Sequence, residues 1–256
     1  MKNIFLSLTF LLSLNITYAK TLVVSDVDDT IKVTNVLNTR MKIINGLFTK
    51  KSFSGMSELY QQLNSPDTTI YYVSGSPNII RTRINSFLKF NNFPQSEKLI
   101  LKQGSVATYD YKLKAIRDLI AQYNPNKIIL VGDDTEFDPE VYHTLSAENV
   151  GKIEGIYIRS IKNRALPAND LIKSFFTPVE VAGFELLKDN FSVEGLNLVA
   201  SSFIKQDHSS KLVIKGRYCP ADGRDQVEEL KHQVRDQSSI DSLERTQQKI
   251  IATCKR

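Results

Sequence analysis

Tryptophan is absent from this chain and cysteine occurs only twice among 256 residues. Cys219 and Cys254 are too few for a disulfide-framework miniprotein or a four-cysteine zinc site. Histidine is scarce as well. His143, His208 and His232 are scattered without a metal-ligand spacing, so surface or core positions are their default reading. No run of five like charges occurs, and the net charge is a modest +5 with a pI of about 9.0. A dense basic arm is therefore missing, and nucleic acid is not an expected partner. Without tryptophan, any interfacial contact must use Phe, Tyr or aliphatic side chains. Beyond the N-terminal stretch, no window is apolar for the roughly 18 residues of a membrane span. What is present, 41% hydrophobic and 24% charged residues, is the balance of a globular protein rather than a disordered one.

The N-terminus reads as a processing segment. Lys2 precedes the apolar run Ile4 to Ile16, and Thr17-Tyr18-Ala19 ends it with a small residue. A charged start, a short apolar stretch and a small-x-small end fit a secretory signal peptide over 1–19, cleaved after Ala19. The run is too short to cross a bilayer comfortably, and no cysteine follows it to carry a lipid. The expected destination is secreted, periplasmic or extracellular, where conditions allow Cys219 and Cys254 to pair; two free buried thiols are the other reading.

The rest of the chain alternates short β-branched runs with helical periodicity. Thr21–Ser25, Thr69–Val73, Lys98–Leu101, Lys127–Val131 and Ile153–Ile158 read as strands. Ser54–Leu63, Asn78–Phe90 and Leu113–Tyr123 read as helices between them, the last with Leu113, Ile116, Leu119 and Ile120 on one face. This predicts an α/β fold, a Rossmann-like parallel sheet with helices on both faces. Ligands of such sheets lie beyond the carboxyl ends of the strands, so chemistry is sought just after each apolar run.

Those positions are polar. Asp26-Val27-Asp28-Asp29-Thr30 follows the first strand, Ser74-Gly75-Ser76-Pro77 the second, and Gly132-Asp133-Asp134-Thr135-Glu136-Phe137-Asp138 the fourth; Lys112 opens the helix that feeds the fourth. Six aspartates gathered on one rim repel each other, by roughly 4 kcal/mol per pair at 4 Å and protein-like dielectric. A hard cation between them resolves the conflict, and an all-oxygen donor set suits Mg²⁺ or Ca²⁺ rather than zinc. An EF-hand fails on spacing, because counting from Asp26 places Ile31 and Leu37 where Gly and Glu are required.

The order apolar strand and Asp-x-Asp-x-Thr, strand and Ser, Lys, strand and Gly-Asp-x4-Asp resembles the haloacid dehalogenase-like phosphohydrolases. Ser25–Ile31, Tyr72–Pro77, Lys112-Leu113 with Ile116, and Gly132-Asp133 with Asp138-Pro139-Glu140 and Tyr142 resemble, more closely, the actin-patch-associated phosphatidate phosphatase catalytic domain and its bacterial relatives, over roughly 21–165. Gly75 and Asp134-Thr135 depart from the Ser and Ser-Gly expected there, which touches substrate preference more than chemistry. The resemblance implies that Asp26 attacks phosphorus and forms an aspartyl-phosphate. Asp28 then protonates the leaving alkoxide and activates water, its proton retained through neighbouring negative charge. Mg²⁺ is implied between Asp26, the backbone carbonyl of Asp28 and Asp133, with Asp138 orienting from behind. Lys112 and Ser74 are implied holders of the phosphoryl oxygens.

Other polar residues have plainer expected roles. Asp29 closes the turn, Asp134 is solvated, and Thr30 bonds local backbone. Ser76 and Asn78 either touch the phosphate or cap the following helix. Small-molecule enzymes of the resembled superfamily often carry an inserted lid, but 39 positions from Thr30 to Thr69 and 35 from Pro77 to Lys112 leave no room for one with its own core. The expected site is open, favouring a phosphate on something large or membrane-bound. Between Arg40 and Lys51, Met41, Ile43, Ile44, Leu47 and Phe48 stand among cations, either as a flap over the sheet or as a peripheral lipid contact.

Strands are expected to stop at Pro167, dividing a catalytic domain over 20–167 from a mainly helical region over 168–256. Thr177-Pro178-Val179-Glu180 predicts a capping box and a helix to about Asp189, with further helices over Val193–Ile204 and Gln226–Lys249. The expected function is a Mg²⁺-dependent phosphomonoesterase acting on a phosphatidate-like lipid; a phosphatase for soluble esters and a secreted non-catalytic interaction protein are the alternatives.

Overall fold

The computed structural model of the protein describes residues 21–34, 50–206 and 223–254. The expected leader, most of the Arg40–Lys51 segment and Cys219, and with it the expected disulfide, lie outside the described residues. The elements run β1 (Thr21–Ser25), α1 (Met56–Leu63), β2 (Thr68–Pro77), α2 (Arg81–Phe90), β3 (Leu99–Lys102), α3 (Thr108–Tyr123), β4 (Lys127–Asp133), α4 (Asp138–Glu148), β5 (Ile153–Arg159) and β6 (Ile172–Phe175). Helices α5 (Pro178–Leu186), α6 (Val193–Lys205), α7 (Gly223–Gln233) and α8 (Gln237–Cys254) follow.

Strand alternation sorts the core into two layers. Val23, Ile70, Tyr72, Ile129, Val131 and Tyr157 face the side covered by α1, α2 and the four C-terminal helices. Leu22, Val24, Val73, Ile128, Leu130, Ile156 and Ile158 face α3 and α4. The six strands are parallel in the order β3-β2-β1-β4-β5-β6, so β1 is central and pairs with β2 and β4. The order reverses at β1, which brings its carboxyl end beside that of β4: Ser25 pairs with Val131, and Asp26 N donates to Val131 O at 2.9 Å.

Strands do not stop at Pro167. Ile172–Phe175 pairs with Ile156–Arg159 as a sixth strand. With four residues, a lysine and a serine among them, this edge strand is too short to stand out as an apolar run. Lys112 does not open its helix either. α3 starts at Thr108, and its first turn is held by Tyr109 and Tyr111, which pack against the second core layer without aliphatic periodicity. β2 runs on to Pro77, with a register shift between Ser74 and Pro77.

The capping box forms as expected, with Val179 N donating to Thr177 Oγ1 at 3.3 Å and Thr177 N to Glu180 Oε2 at 2.7 Å. The predicted helix over 226–249 is two helices, α7 and α8. Both join the cluster around β1 through Val227, Leu230, Leu243 and Ile250. Gly55, just before α1, has φ +78°, and a Cβ there would stand 2.8 Å from Pro178 Cγ. The C-terminal helices and α1 therefore dock at a point where any side chain would intrude. Among the described residues, no helix is long and apolar enough to cross a membrane.

Candidate active site

The loop after β1 is a compact turn. Ile31 N and Lys32 N both donate to Val27 O, at 3.1 and 3.0 Å, and Asp29 N donates to Lys32 O at 2.8 Å. Val27 and Ile31 are fully buried and anchor the turn in the core. Asp29 takes a left-handed φ of 59° and accepts Thr34 N at 2.8 Å, the turn-closing role expected of it.

This turn presents Asp26 to Lys112, Thr30 and two further acids. Asp26 Oδ1 accepts from Lys112 Nζ at 2.8 Å, and Asp26 Oδ2 accepts from Thr30 Oγ1 at 3.0 Å. The same hydroxyl stands 3.1 Å from Asp133 Oδ2. Lys112 Nζ also donates to Asp138 Oδ1 at 2.5 Å, and Asp133 Oδ1 accepts from Thr135 N at 2.6 Å. Asp26, Asp133 and Asp138 each place one carboxylate oxygen within 4.8 Å of the others, and all three are buried. Asp138, expected to orient from behind, thus brings a carboxylate oxygen close to both of the other acids. Gly132 makes the approach possible, since a Cβ there would lie 2.6 Å from Asp138 Cβ.

Burial is the largest influence on all three acids. Burial pushes Asp26 well above the carboxylate range, Lys112 pulls it back, and Asp138, Asp133 and Asp28 push it further up. Burial and then Asp138 raise Asp133 to about 7, with Lys112 acting against them. Asp138 is raised by burial too, against the pull of Lys112. Burial acts to lower the Lys112 ammonium, but Asp138, Asp26 and Asp133 outweigh it and hold it well above the ordinary lysine value. Three buried acids against one contacting ammonium leave an excess of negative charge, and all available donors are oxygens. This fits a divalent cation.

Asp28 stands apart from the buried trio and retains solvent contact, with a side chain 24% exposed. Its Oδ2 accepts from Ser76 Oγ at 2.8 Å and Ser74 Oγ at 3.3 Å. Its Oδ1 lies 3.7 Å from Lys32 Nζ, whose pKa burial lowers against the opposing pull of Asp28. Ser76 is therefore part of the site, on Asp28. Among the described residues, Lys112 binds Asp26 and Asp138 and keeps one of its three N–H donors.

Two plain expectations need correction. Thr30 donates its hydroxyl to carboxylates rather than to local backbone. Asp134 is not solvated: it is 2% exposed and accepts Ile161 N, Lys162 N and Arg164 N at 2.7, 2.8 and 3.3 Å, fixing the loop after β5. Sequence reasoning also misses Lys32, Tyr60 and Arg159. Tyr60 OH donates to Ser25 Oγ at 2.5 Å, and Ser25 Oγ donates to the Asp26 carbonyl at 2.6 Å. Arg159 ends β5, paired with Asp133. The sequence does carry a signal for it, because a lone cation closing an apolar run stands where ligands of such sheets gather.

The aspartates and lysine thus meet beyond the parallel strands at the switch point, where the resemblance to haloacid dehalogenase-like phosphatases leads one to expect them. The family profile of the phosphatidate phosphatase APP1 catalytic domain matches residues 21–160. The chain belongs to that family. It is 31% identical to phosphatidate phosphatase APP1 of Saccharomyces cerevisiae over 162 residues, 57% of this chain and 27% of the yeast protein. An uncharacterized Schizosaccharomyces pombe protein is 24% identical over 150 residues, covering 54% of this chain and 25% of that protein. The chain thus spans about a quarter of the length of these curated relatives. Among solved structures, the class C acid phosphatase of Bacillus anthracis aligns with a TM-score of 0.36 and 18% identity, over 53% of this chain and 65% of that one.

Proposed function

We propose that this protein is a Mg²⁺-dependent phosphomonoesterase, that Asp26 is its nucleophile, and that its substrate is a phosphatidate-like lipid. The observation that carries the reading is Asp26 held between Lys112 and Thr30, beside two further buried acids. Asp26, Asp133 and Asp138 are the residues that would hold the ion. Bound there, the ion supplies positive charge that offsets the acids and the phosphoryl oxygens.

The residues divide the remaining work. A carboxylate oxygen of Asp26 forms a bond to phosphorus as the bond to the leaving alkoxide breaks. Lys112 fixes the carboxylate and offers its free N–H to a phosphoryl oxygen. Asp28, at the solvent edge and hydrogen-bonded by Ser74 and Ser76, gives its proton to the alkoxide. It next takes a proton from the water that attacks the aspartyl-phosphate, releasing phosphate and restoring Asp26.

The lipid part rests on the rim. Ile79, Val106 and Phe137 are 90%, 50% and 47% exposed, on the segments that follow β2, β3 and β4. All three stand at the carboxyl edge where Asp26 and Asp133 open. The β2 and β4 segments converge on α3 here, since a Cβ on Gly75 would lie 2.8 Å from Thr108 and 3.5 Å from Glu136. Lys102 and Arg81 flank the rim, an apolar and cationic mixture suited to an anionic bilayer. Export through the N-terminal segment is proposed with it, and sequencing the N-terminus of the exported product checks for a start at Lys20.

The test is a phosphate-release panel with and without Mg²⁺, on phosphatidate vesicles and on p-nitrophenyl phosphate. Wild type should act only with the ion, and Asp26→Asn should lose at least about a thousandfold. A folded wild type that releases no phosphate from either substrate would end the enzymatic reading. Ile79→Ser with Val106→Ser should lose about fivefold or more on vesicles and keep its rate on the soluble ester. Equal loss on both substrates would remove the lipid contact and leave a phosphatase of soluble esters.

A further inference from the structure

Among the described residues, Arg159 is the largest fully buried side chain, and no carboxylate of theirs forms an ion pair with it. Its Nε donates to the Thr30 carbonyl at 2.8 Å, and its Nη1 donates to the Phe176 carbonyl at 2.5 Å. The guanidinium lies between two rings, 4.0 Å from the centroid of Phe53 and 4.6 Å from that of Phe175. Its Nη2 is buried and has no acceptor among the described residues. Keeping a cation here is costly, because two carbonyls and two ring faces replace its hydration incompletely. Methionine of similar length would fill the space without that cost. The two carbonyls are the informative contacts. Thr30 is the residue whose hydroxyl stands between Asp26 and Asp133. Phe176 is two residues before Pro178, which opens α5, and its own N–H is held by Glu180 of the capping box at 3.1 Å.

We propose that Arg159 is a positioning residue. It clamps the Thr30 peptide so that the Thr30 hydroxyl stays between Asp26 and Asp133, and it ties that peptide to the start of α5. The planar fork of arginine suits the task, since it reaches two carbonyls from different segments while staying close to two ring faces. A lysine offers a point charge and cannot hold both directions at once. The inference rests on the phosphatase reading for its kinetic arm alone, whereas metal binding can be measured on the inactive protein.

The experiment is a double-mutant cycle between Arg159→Met and Thr30→Val, with Arg159→Lys and Thr30→Ser as conservative partners. Two quantities are read on folded protein, kcat and KM for p-nitrophenyl phosphate at saturating Mg²⁺, and Mn²⁺ affinity by the electron paramagnetic resonance signal of the free ion. Each single variant should lower kcat and Mn²⁺ affinity by about tenfold to a hundredfold, the range seen when a group that orients metal ligands is removed. KM should stay within about threefold, because the clamp touches no substrate. The double variant should be no worse than the poorer single one, since both changes remove the same constraint. Thr30→Ser should recover most of the loss, and Arg159→Lys only part. Losses that multiply in the double variant, or an Arg159→Met protein with a lowered Tm but wild-type kcat and Mn²⁺ affinity, would make Arg159 a structural residue only. Should Arg159→Met fail to fold, the cycle with Arg159→Lys measures the same coupling. A wild type that binds Mn²⁺ yet releases no phosphate would sink the proposed function and leave the clamp to be judged on affinity.

Discussion

The two edges of the sheet carry the same kinds of residue in opposite settings. At the amino edge, Lys127 and Glu154 meet at 3.3 Å with side chains 43% and 29% exposed. Asp67, Asn126, Thr68 and Asn190 join them around an open cavity of about 330 Å³. Water remains available there, and the charges cost little. At the carboxyl edge, Asp26, Asp133, Asp138 and Lys112 are 1–4% exposed. Without water, each acid is pushed toward its neutral form, and only a cation can hold several of them charged at once. What separates a decorated rim from a reactive one is burial rather than residue type. The sheet supplies it, because β1 ends between two neighbours that carry on past it.

The sharpest way to break this contrast is to push one acid out of the buried edge. Gly132→Ala puts a methyl group 2.6 Å from Asp138 Cβ, so the start of α4 must shift. A displacement of that kind should cost about a hundredfold in phosphate release. Overpacking should also remove about 1–3 kcal/mol of stability, read from urea melts. Unchanged activity would mean that Asp138 need not stand close to the strand.

A medium-sized effect should appear in pH. Asp133 has a folded pKa raised to about 7 from an ordinary 3.8, and Asp26 and Asp138 are raised too. The metal-free folded chain therefore holds protons that the unfolded chain has lost. Its stability from Asp133 is fully present below about 4 and is lost as pH rises through about 7. A bound divalent ion favours the charged acids and offsets that loss. The rise in Tm on replacing EDTA with Mg²⁺ should be larger at pH 8 than at pH 5, as followed by circular dichroism. An equal rise at both would separate the ion from these carboxyls.

The smallest effect belongs to the other edge. Glu154→Gln removes a solvated pair and should change stability by less than about 0.5 kcal/mol with no change in kcat. A large loss of activity would show that the amino edge is coupled to the chemistry.

Much of this contrast is readable in the sequence, for a local reason. Each apolar strand announces itself over five or so residues, and the polar residues just after it must sit at the carboxyl edge. That alone places Asp26, Asp28, Ser74, Asp133 and Asp138 together. The helix that feeds the fourth strand brings Lys112 to the same rim, although its periodicity, which begins at Leu113, hides the true start at Thr108. Whatever depends on a partner distant in the chain stays hidden. Thr30 meets Asp133, 103 positions away, and Arg159 meets Thr30 across 129. Asp134 looks like any loop aspartate until the loop after β5 folds over it. β6 exists because β5 offers an edge, not because Ile172–Phe175 is a strong strand former.

A threonine hydroxyl owns a single hydrogen, yet Thr30 faces two acids at nearly equal range, 3.0 and 3.1 Å. Only one can receive it at any instant. Spinning about the Cβ–Oγ bond passes it from one to the other in picoseconds to nanoseconds, with the main chain at rest. If Asp26 becomes the proposed acyl phosphate, its oxygens attract hydrogen less and Asp133 becomes the better acceptor. The atom that steadied the attacking acid would then be free to swing away, and a rotor this light lets a rigid loop follow a charge that moves.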